Sequence, residues 1–192
     1  LMVGAQLEGF DRMVDLDDRH EWAVIEGDEY LSSPIDRRPK FLWYGPHVTI
    51  LTGIAWDHVN VFPTEENYVS QFSAYLRTIQ PDGVVVYCEE DAKVCAAVAE
   101  VRPARPDIAW TPYRTPEHRP TCEGSQVRWD GPFLEMKLLG AHNMQNLAAA
   151  RQACHTMGLS YKAFDRNMAS FTGAARRLEV AEEDVNRAFT AF

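Results

Sequence analysis

The sequence predicts an α/β fold: a doubly wound, mostly parallel sheet flanked by helices, with a small antiparallel hairpin element late in the chain. Three observations predict it. Short apolar runs alternate with segments whose apolar residues recur at helical spacing, the rhythm of β-α-β units. The β-rich runs are continuous rather than alternating, as in strands covered on both faces. Asp130-Gly131, between two β-prone segments, is a strong hairpin signal.

The elements follow in order. Trp22-Ala23-Val24-Ile25 reads as a buried strand running into the acidic loop Glu26-Gly27-Asp28-Glu29. Residues 32–40 are polar, carry Pro34 and Pro39, and read as a loop. A second strand spans 48–52 and ends in Gly53, with Asp57-His58 shortly after. Over 64–79 the spacing of Tyr68, Phe72, Tyr75, Leu76 and Ile79 is helical, and Thr64-Glu65-Glu66 suits a helix start. Residues 84–87 read as a third strand, 91–100 as a helix and 108–110 as a strand, and the Pro- and Thr-rich stretch 112–124 as a loop. The hairpin strands are 126–129 and 133–138. Two helices follow, 146–157 stopped by Gly158 and 161–171 stopped near Gly173, because glycine is the preferred left-handed helix cap.

A chain of 192 residues suffices for one domain with a sizeable core, and 46% apolar with 24% charged residues is ordinary globular composition. With a net charge of −9 and scattered basic residues, nothing suggests a nucleic-acid surface, and no apolar stretch is long enough for a membrane helix. An acidic protein that handles phosphates needs a cation, which points to magnesium. Cys88, Cys95, Cys122 and Cys154 form no C-x-x-C pair and read as free thiols, which with the lack of a signal-peptide start implies the cytoplasm. His20, His47, His118 and His155 have no partner at metal spacing, and Trp22, Trp43, Trp56, Trp110 and Trp129 read as packing residues.

Glu26, Asp28 and Glu29 follow one predicted strand and Asp57 and His58 the next. In an open α/β sheet ligands bind outside these carboxyl ends, where a carboxylate and an imidazole can share one hydrated cation. Acids after a strand also cap the next helix, and the residues alone leave both readings open. Residues 140–146, Gly-Ala-His-Asn-Met-Gln-Asn, open a helix. Asn143 is a good cap type, and Asn146 carries an amide able to read an adenine edge. Arg176 and Arg177, adjacent after Gly173, form either a phosphate clamp or a solvated basic turn.

Four segments in order resemble the Mur ligase family: Val24 through Tyr30 its Glu-Ala-Asp-Glu strand end, Ile50 through Pro63 its Asp-His segment, Gly140 through Asn146 its His-Asn-x-x-Asn helix start, and Gly173 through Val180 its Arg-Arg ending. The resemblance implies the P-loop NTPase-like central domain of that family, ATP and Mg²⁺ as cofactors, and ligation through an acyl phosphate. It implies Glu26 and His58 as magnesium ligands. Asn146, with Asn143 and Arg176, would hold adenine, Arg177 would approach the ribose or phosphates, and His142 would set the helix start. Tyr30 after Asp28-Glu29, and the D-x-R-x-K-F stretch Asp36 to Phe41, are similar to the muropeptide-recycling branch. That branch joins the tripeptide L-Ala-γ-D-Glu-meso-diaminopimelate to UDP-N-acetylmuramate. The L-alanine-adding branch and a non-catalytic nucleotide-sugar-binding module are the alternatives. Gly53 and Ala55 depart from the family's usual Asn and Glu, and the position of a carbamoylated lysine in other branches holds Ser73. No G-x-x-x-x-G-K-[ST] loop occurs in the chain. The 192 residues are therefore expected to be a partial central domain, inactive alone. A phosphate loop and a UDP-binding domain are expected ahead of Leu1 and a C-terminal domain after Phe192.

Overall fold

The computed structural model describes residue 2, residues 11–15 and residues 17–173. The chain divides into two compact units, one of Leu1–Glu26 with Thr172–Phe192 and one of Gly27–Phe171.

In the first unit Met2 bridges Val14 in antiparallel and Ile25 in parallel fashion. The Met2 N–H donates to the Val24 carbonyl, and the Glu26 N–H to the Met2 carbonyl, each at 2.8 Å. The strand expected over 22–25 is thus reduced to a single bridge at Ile25. A four-residue apolar run makes a strand only with a neighbouring ladder, and among the described residues it meets one partner residue. Trp22, Val24 and Ile25 are accordingly exposed.

The second unit contains a parallel sheet of β1 (Val48–Leu51), β2 (Val84–Cys88) and β3 (Ala109–Tyr113), in that spatial order. Val48 pairs with Val84, and Val84 with Ala109. The crossovers are α1 (Glu65–Leu76) and α2 (Ala92–Val101). Thr64 caps α1 by accepting the Asn67 N–H, and Asp91 caps α2 by accepting the Lys93 and Val94 N–H groups. Because successive strand residues face opposite ways, β2 buries both of its faces. Val85 packs with Leu51, Leu76, Val94, Val98 and Val101 on the α1/α2 side. Val86, Cys88 and Tyr113 meet Ala148, Ala149 and Ala153 of α3 (Ala141–Thr156) on the other. The small alanines let α3 lie close to the sheet. Helices on both faces of a parallel sheet are the expected layering.

A second, antiparallel sheet follows, with β4 (Glu117–Thr121), β5 (Gly124–Arg128) and β6 (Leu134–Met136) in chain order. The stretch 112–124 expected as a loop therefore carries the end of β3 and all of β4. Its prolines are compatible with strands at these positions. Pro112 and Pro120 lie in strands with a single neighbour each among the described residues, where a missing N–H costs no ladder bond. The expected hairpin is present, with Val127 opposite Leu134, but Asp130-Gly131 sits within a wider loop over 129–133.

Helix α3 begins five positions earlier than the periodicity suggested, because Gly140 at φ 86° turns the chain into it. Asn143 is consequently inside the first turn and is not the cap; its side-chain amide donates to the Leu139 carbonyl at 2.7 Å. The helix stops as expected at Gly158, φ 94°. The Gly158 N–H bonds the His155 carbonyl and the Leu159 N–H the Cys154 carbonyl, a Schellman pair. Ser160 caps α4 (Tyr161–Met168), which is shorter than the expected 161–171. Trp43 and Trp56, expected to pack inside, are exposed. Trp43 instead stacks under the Arg38 guanidinium, and the Trp56 indole donates to the Phe62 carbonyl.

Candidate active site

A cleft of about 590 Å³ opens in the second unit outside the carboxyl ends of β1 and β2. This is where a parallel α/β sheet leaves room for a ligand, since the strands end there and the following helices begin. Thr52, Gly53, Asp57 and His58 come from the segment after β1, Glu90 and Asp91 from the end of β2, and His142 and Gln145 from the first turns of α3. Glu29 and Tyr68 close one side.

The segment after β1 is held at several points. Ile54 is buried, and its N–H donates to Asp91 Oδ2 at 3.2 Å. A Cβ at Gly53 would meet that same oxygen at 3.3 Å, so the glycine lets the loop lie close to the carboxylate. His58 adopts φ 55°, the left-handed region, at a turn closed by Val61 and Phe62 N–H groups on the His58 carbonyl at 2.7 and 2.9 Å. Its own N–H donates to Asp57 Oδ1 at 2.6 Å. The imidazole lies against the Tyr30 ring, centroids 4.4 Å apart.

Glu90 Oε2 accepts the Thr115 hydroxyl at 2.6 Å, the Thr115 N–H at 3.0 Å and the Gln145 side-chain amide at 3.1 Å. The Thr115 hydroxyl is the main cause that holds this carboxyl below its ordinary value, so Glu90 stands in the cleft as a carboxylate. Burial opposes ionisation of Asp28, but the Lys40 ammonium at 2.8 Å and the Tyr30 N–H outweigh it, and its pKa is also lowered. Burial, then the Glu29 carboxylate, raises the Tyr68 phenol, which stays a neutral donor to Glu29 at 3.2 Å.

The rim thus offers hard oxygen donors from Glu29, Asp57, Glu90 and Asp91 beside the imidazoles of His58 and His142. Among the described residues no three His, Cys, Asp or Glu side chains are gathered into a metal cage. Magnesium keeps waters and substrate oxygens around one or two protein ligands, and these donors fit it.

Of the residues singled out in the sequence, Glu29, Asp57, His58 and His142 meet in this cleft. Glu26 belongs to the other unit. Asn143 and Asn146 are half-buried on α3, one position on from His142 and Gln145 and so turned by a residue step from the cleft-facing pair. Arg176 and Arg177 lie outside the described residues. Sequence reasoning missed Glu90, Asp91 and Gln145. Their signals were present: Glu89-Glu90-Asp91 follow β2 as Asp57-His58 follow β1, and Gln145 shares a helix face with His142 at i, i+3.

An α/β layer with an acidic, histidine-bearing cleft at its strand ends has its opening where sheets of this class receive ligands. The chain belongs to the Mur ligase middle domain family, which matches residues 8–154. It is 29% identical over 172 residues to the UDP-N-acetylmuramate–L-alanyl-γ-D-glutamyl-meso-2,6-diaminoheptandioate ligase of Haemophilus influenzae, covering 83% of this chain and 36% of that protein. It is 26% identical over 187 residues to the UDP-N-acetylmuramate–L-alanine ligase of Roseiflexus castenholzii, covering 83% and 37%. The chain therefore spans about a third of the length of these curated relatives. The crystal structure of the UDP-N-acetylmuramate:L-alanyl-γ-D-glutamyl-meso-diaminopimelate ligase from Neisseria meningitides shares the fold, with a TM-score of 0.70 at 21% identity over 91% of this chain and 58% of that one. No helix among the described residues is long and apolar enough to cross a membrane.

Proposed function

We propose that this domain is the ATP-handling part of a cytoplasmic ligase of peptidoglycan recycling. The ligase joins L-Ala-γ-D-Glu-meso-diaminopimelate to UDP-N-acetylmuramate, using Mg²⁺. The observation that carries the reading is the acidic cleft at the ends of β1 and β2, with Asp57-His58 on its rim, in a Mur ligase middle domain. The branch is supported by Tyr30 and by the Asp36-to-Phe41 stretch, and by the likeness to the H. influenzae ligase.

Between heavy atoms the reaction makes two bonds and breaks two. A lactyl carboxylate oxygen attacks the γ-phosphorus of ATP and ADP leaves. The tripeptide amine then attacks the acyl carbon, phosphate leaves, and the amine gives up a proton. Such phosphoryl transfer is mostly positioning and charge neutralisation. His58 is the proposed magnesium ligand in the cleft, and Glu26 is proposed for that role on sequence grounds. When bound, the ion would neutralise charge on the phosphate oxygens. Asn143, Asn146 and Arg176 are proposed for adenine, Arg177 for ribose or phosphates, and His142 for fixing the helix start beside them. A phosphate loop and the UDP- and peptide-binding domains belong, in this reading, to the longer protein, and the 192 residues alone would not turn over.

The likeness to the R. castenholzii ligase favours a second reading, addition of L-alanine. Assay of the full-length protein with ATP, UDP-N-acetylmuramate and either the tripeptide or L-alanine separates the two. Ligation of the tripeptide supports the recycling reading, and turnover with L-alanine alone overturns it.

A further inference from the structure

The geometry points to Tyr30 as a positioning residue that fixes the imidazole of His58, an inference that rests on the reading of His58 as a cation ligand. The backbone of His58 is pinned by the turn its carbonyl closes with Val61 and Phe62. That fixes where the side chain starts but leaves the ring free to rotate about its χ angles. Ligating imidazoles are usually oriented by a bond to their second nitrogen. Among the described residues the ring packed against His58 is that of Tyr30, at 4.4 Å and tilted by 48°, and the Asp28 carboxylate beside it also acts on His58 through its charge.

Tyr30 is itself held on three sides. Its N–H donates to Asp28 Oδ1 at 2.8 Å, and its carbonyl accepts the Lys40 N–H at 2.9 Å. The Lys40 ammonium pairs with Asp28 at 2.8 Å and stands 5.9 Å from the centre of the Tyr30 ring. A bridge between Leu31 and Pro39, and the Ser32 N–H on the Arg38 carbonyl, close the rest of the loop. The loop is rooted in the core by Phe41, which is 4% exposed and packs edge-on against Tyr75 and beside Phe72. A chain of contacts therefore runs from the core through Lys40 and Tyr30 to the imidazole. Tyr30 is 53% exposed, so exchanging it removes little buried area and leaves the fold in place.

The test uses the full-length protein with ¹³C-labelled histidine. The His58 resonance is identified by its loss in His58→Ala, and the Tyr30 ring current shifts it. Tyr30→Leu should abolish that shift and weaken Mg²⁺·ATP binding, measured by calorimetry, by about tenfold, as loss of an orienting partner does. Tyr30→Phe, which keeps the ring, should stay within about twofold of wild type on the same grounds. In a His58→Ala background Tyr30→Leu should change the affinity no further, because the two act as one unit. An unchanged His58 shift in Tyr30→Leu overturns the inference, as does a weakening that persists without His58. If His58→Ala itself leaves Mg²⁺·ATP affinity at the wild-type value, the cation reading of His58 falls. The chemical shift then decides the Tyr30 contact: its loss in Tyr30→Leu supports the contact and its persistence overturns it.

Discussion

Asp91 ties two strand ends together by accepting the N–H of Ile54 on Oδ2 at 3.2 Å, while its Oδ1 takes the Lys93 and Val94 N–H groups at 2.9 Å. One carboxylate thus caps α2 and holds the loop that carries Asp57 and His58.

Asp91→Ala should lower stability by about 1–2 kcal/mol, the cost of a lost cap with an added loop bond. Asp91→Asn keeps a side-chain oxygen for the cap and should lose less than half of that. Urea denaturation of both variants checks the ordering; equal losses would show that the cap bonds contribute nothing.

Gly124 lies where β5 crosses close to the chain leaving β6. A Cβ there would stand 2.0 Å from the Met136 carbonyl oxygen and 2.8 Å from Lys137 Cα. These are backbone atoms that cannot swing away. Gly124→Ala should cost about 3 kcal/mol, the upper range for forcing atoms into a packed site. The change is read from the denaturation midpoint, and a loss below about 1 kcal/mol would contradict the close approach.

Arg151 and Asp165 form a forked pair, Nε to Oδ1 at 2.7 Å and Nη2 to Oδ2 at 3.0 Å, with side chains 13% and 14% exposed. The guanidinium is bracketed by the rings of Trp129 and Tyr161 at 4.4 and 4.0 Å. Removing one charge of so sheltered a pair strands the other, so Asp165→Ala should cost about 3 kcal/mol. Adding Arg151→Met should recover part of the loss. A double variant less stable than Asp165→Ala would show that Arg151 contributes mainly by stacking.

The parts of this fold legible in the sequence are those where one physical cause dominates. β2 is covered on both faces, so its apolar run is continuous, while β1 buries Leu51 and leaves Ile50 exposed. The run over 22–25 looks the same, yet partner strands, which a run cannot encode, decide whether it becomes a ladder. β4 was hidden because an edge strand tolerates Pro120 and carries polar residues. In the cleft, Asp57-His58 could be found from their place after a strand. Glu90 and Gln145 acquire their contact only when the end of β2 meets α3, 55 residues apart in the chain. The start of α3 was missed because Gly140 enters it through a positive φ rather than through a capping side chain.

Glu90 gives a pH dependence with a definite sign. Its folded pKa is lowered, first by the Thr115 hydroxyl, so the folded state prefers the carboxylate. Its contribution is present above the ordinary glutamate value, about 4.3, and is lost as pH falls through the lowered folded value. Glu90→Gln should therefore be less stable than wild type near neutrality, with the gap closing below about pH 4. Denaturation midpoints across pH 3 to 7 check this, and a gap independent of pH would remove the charge from the explanation.

The cleft at the ends of β1 and β2 is tested most directly by ADP release from the full-length protein carrying His58→Ala, supplied with ATP, Mg²⁺, UDP-N-acetylmuramate and the tripeptide. The expected result is wild-type far-UV circular dichroism and melting with no ADP release above background. A wild-type rate of ADP release from the folded variant would contradict it and take His58 out of the phosphoryl-transfer site.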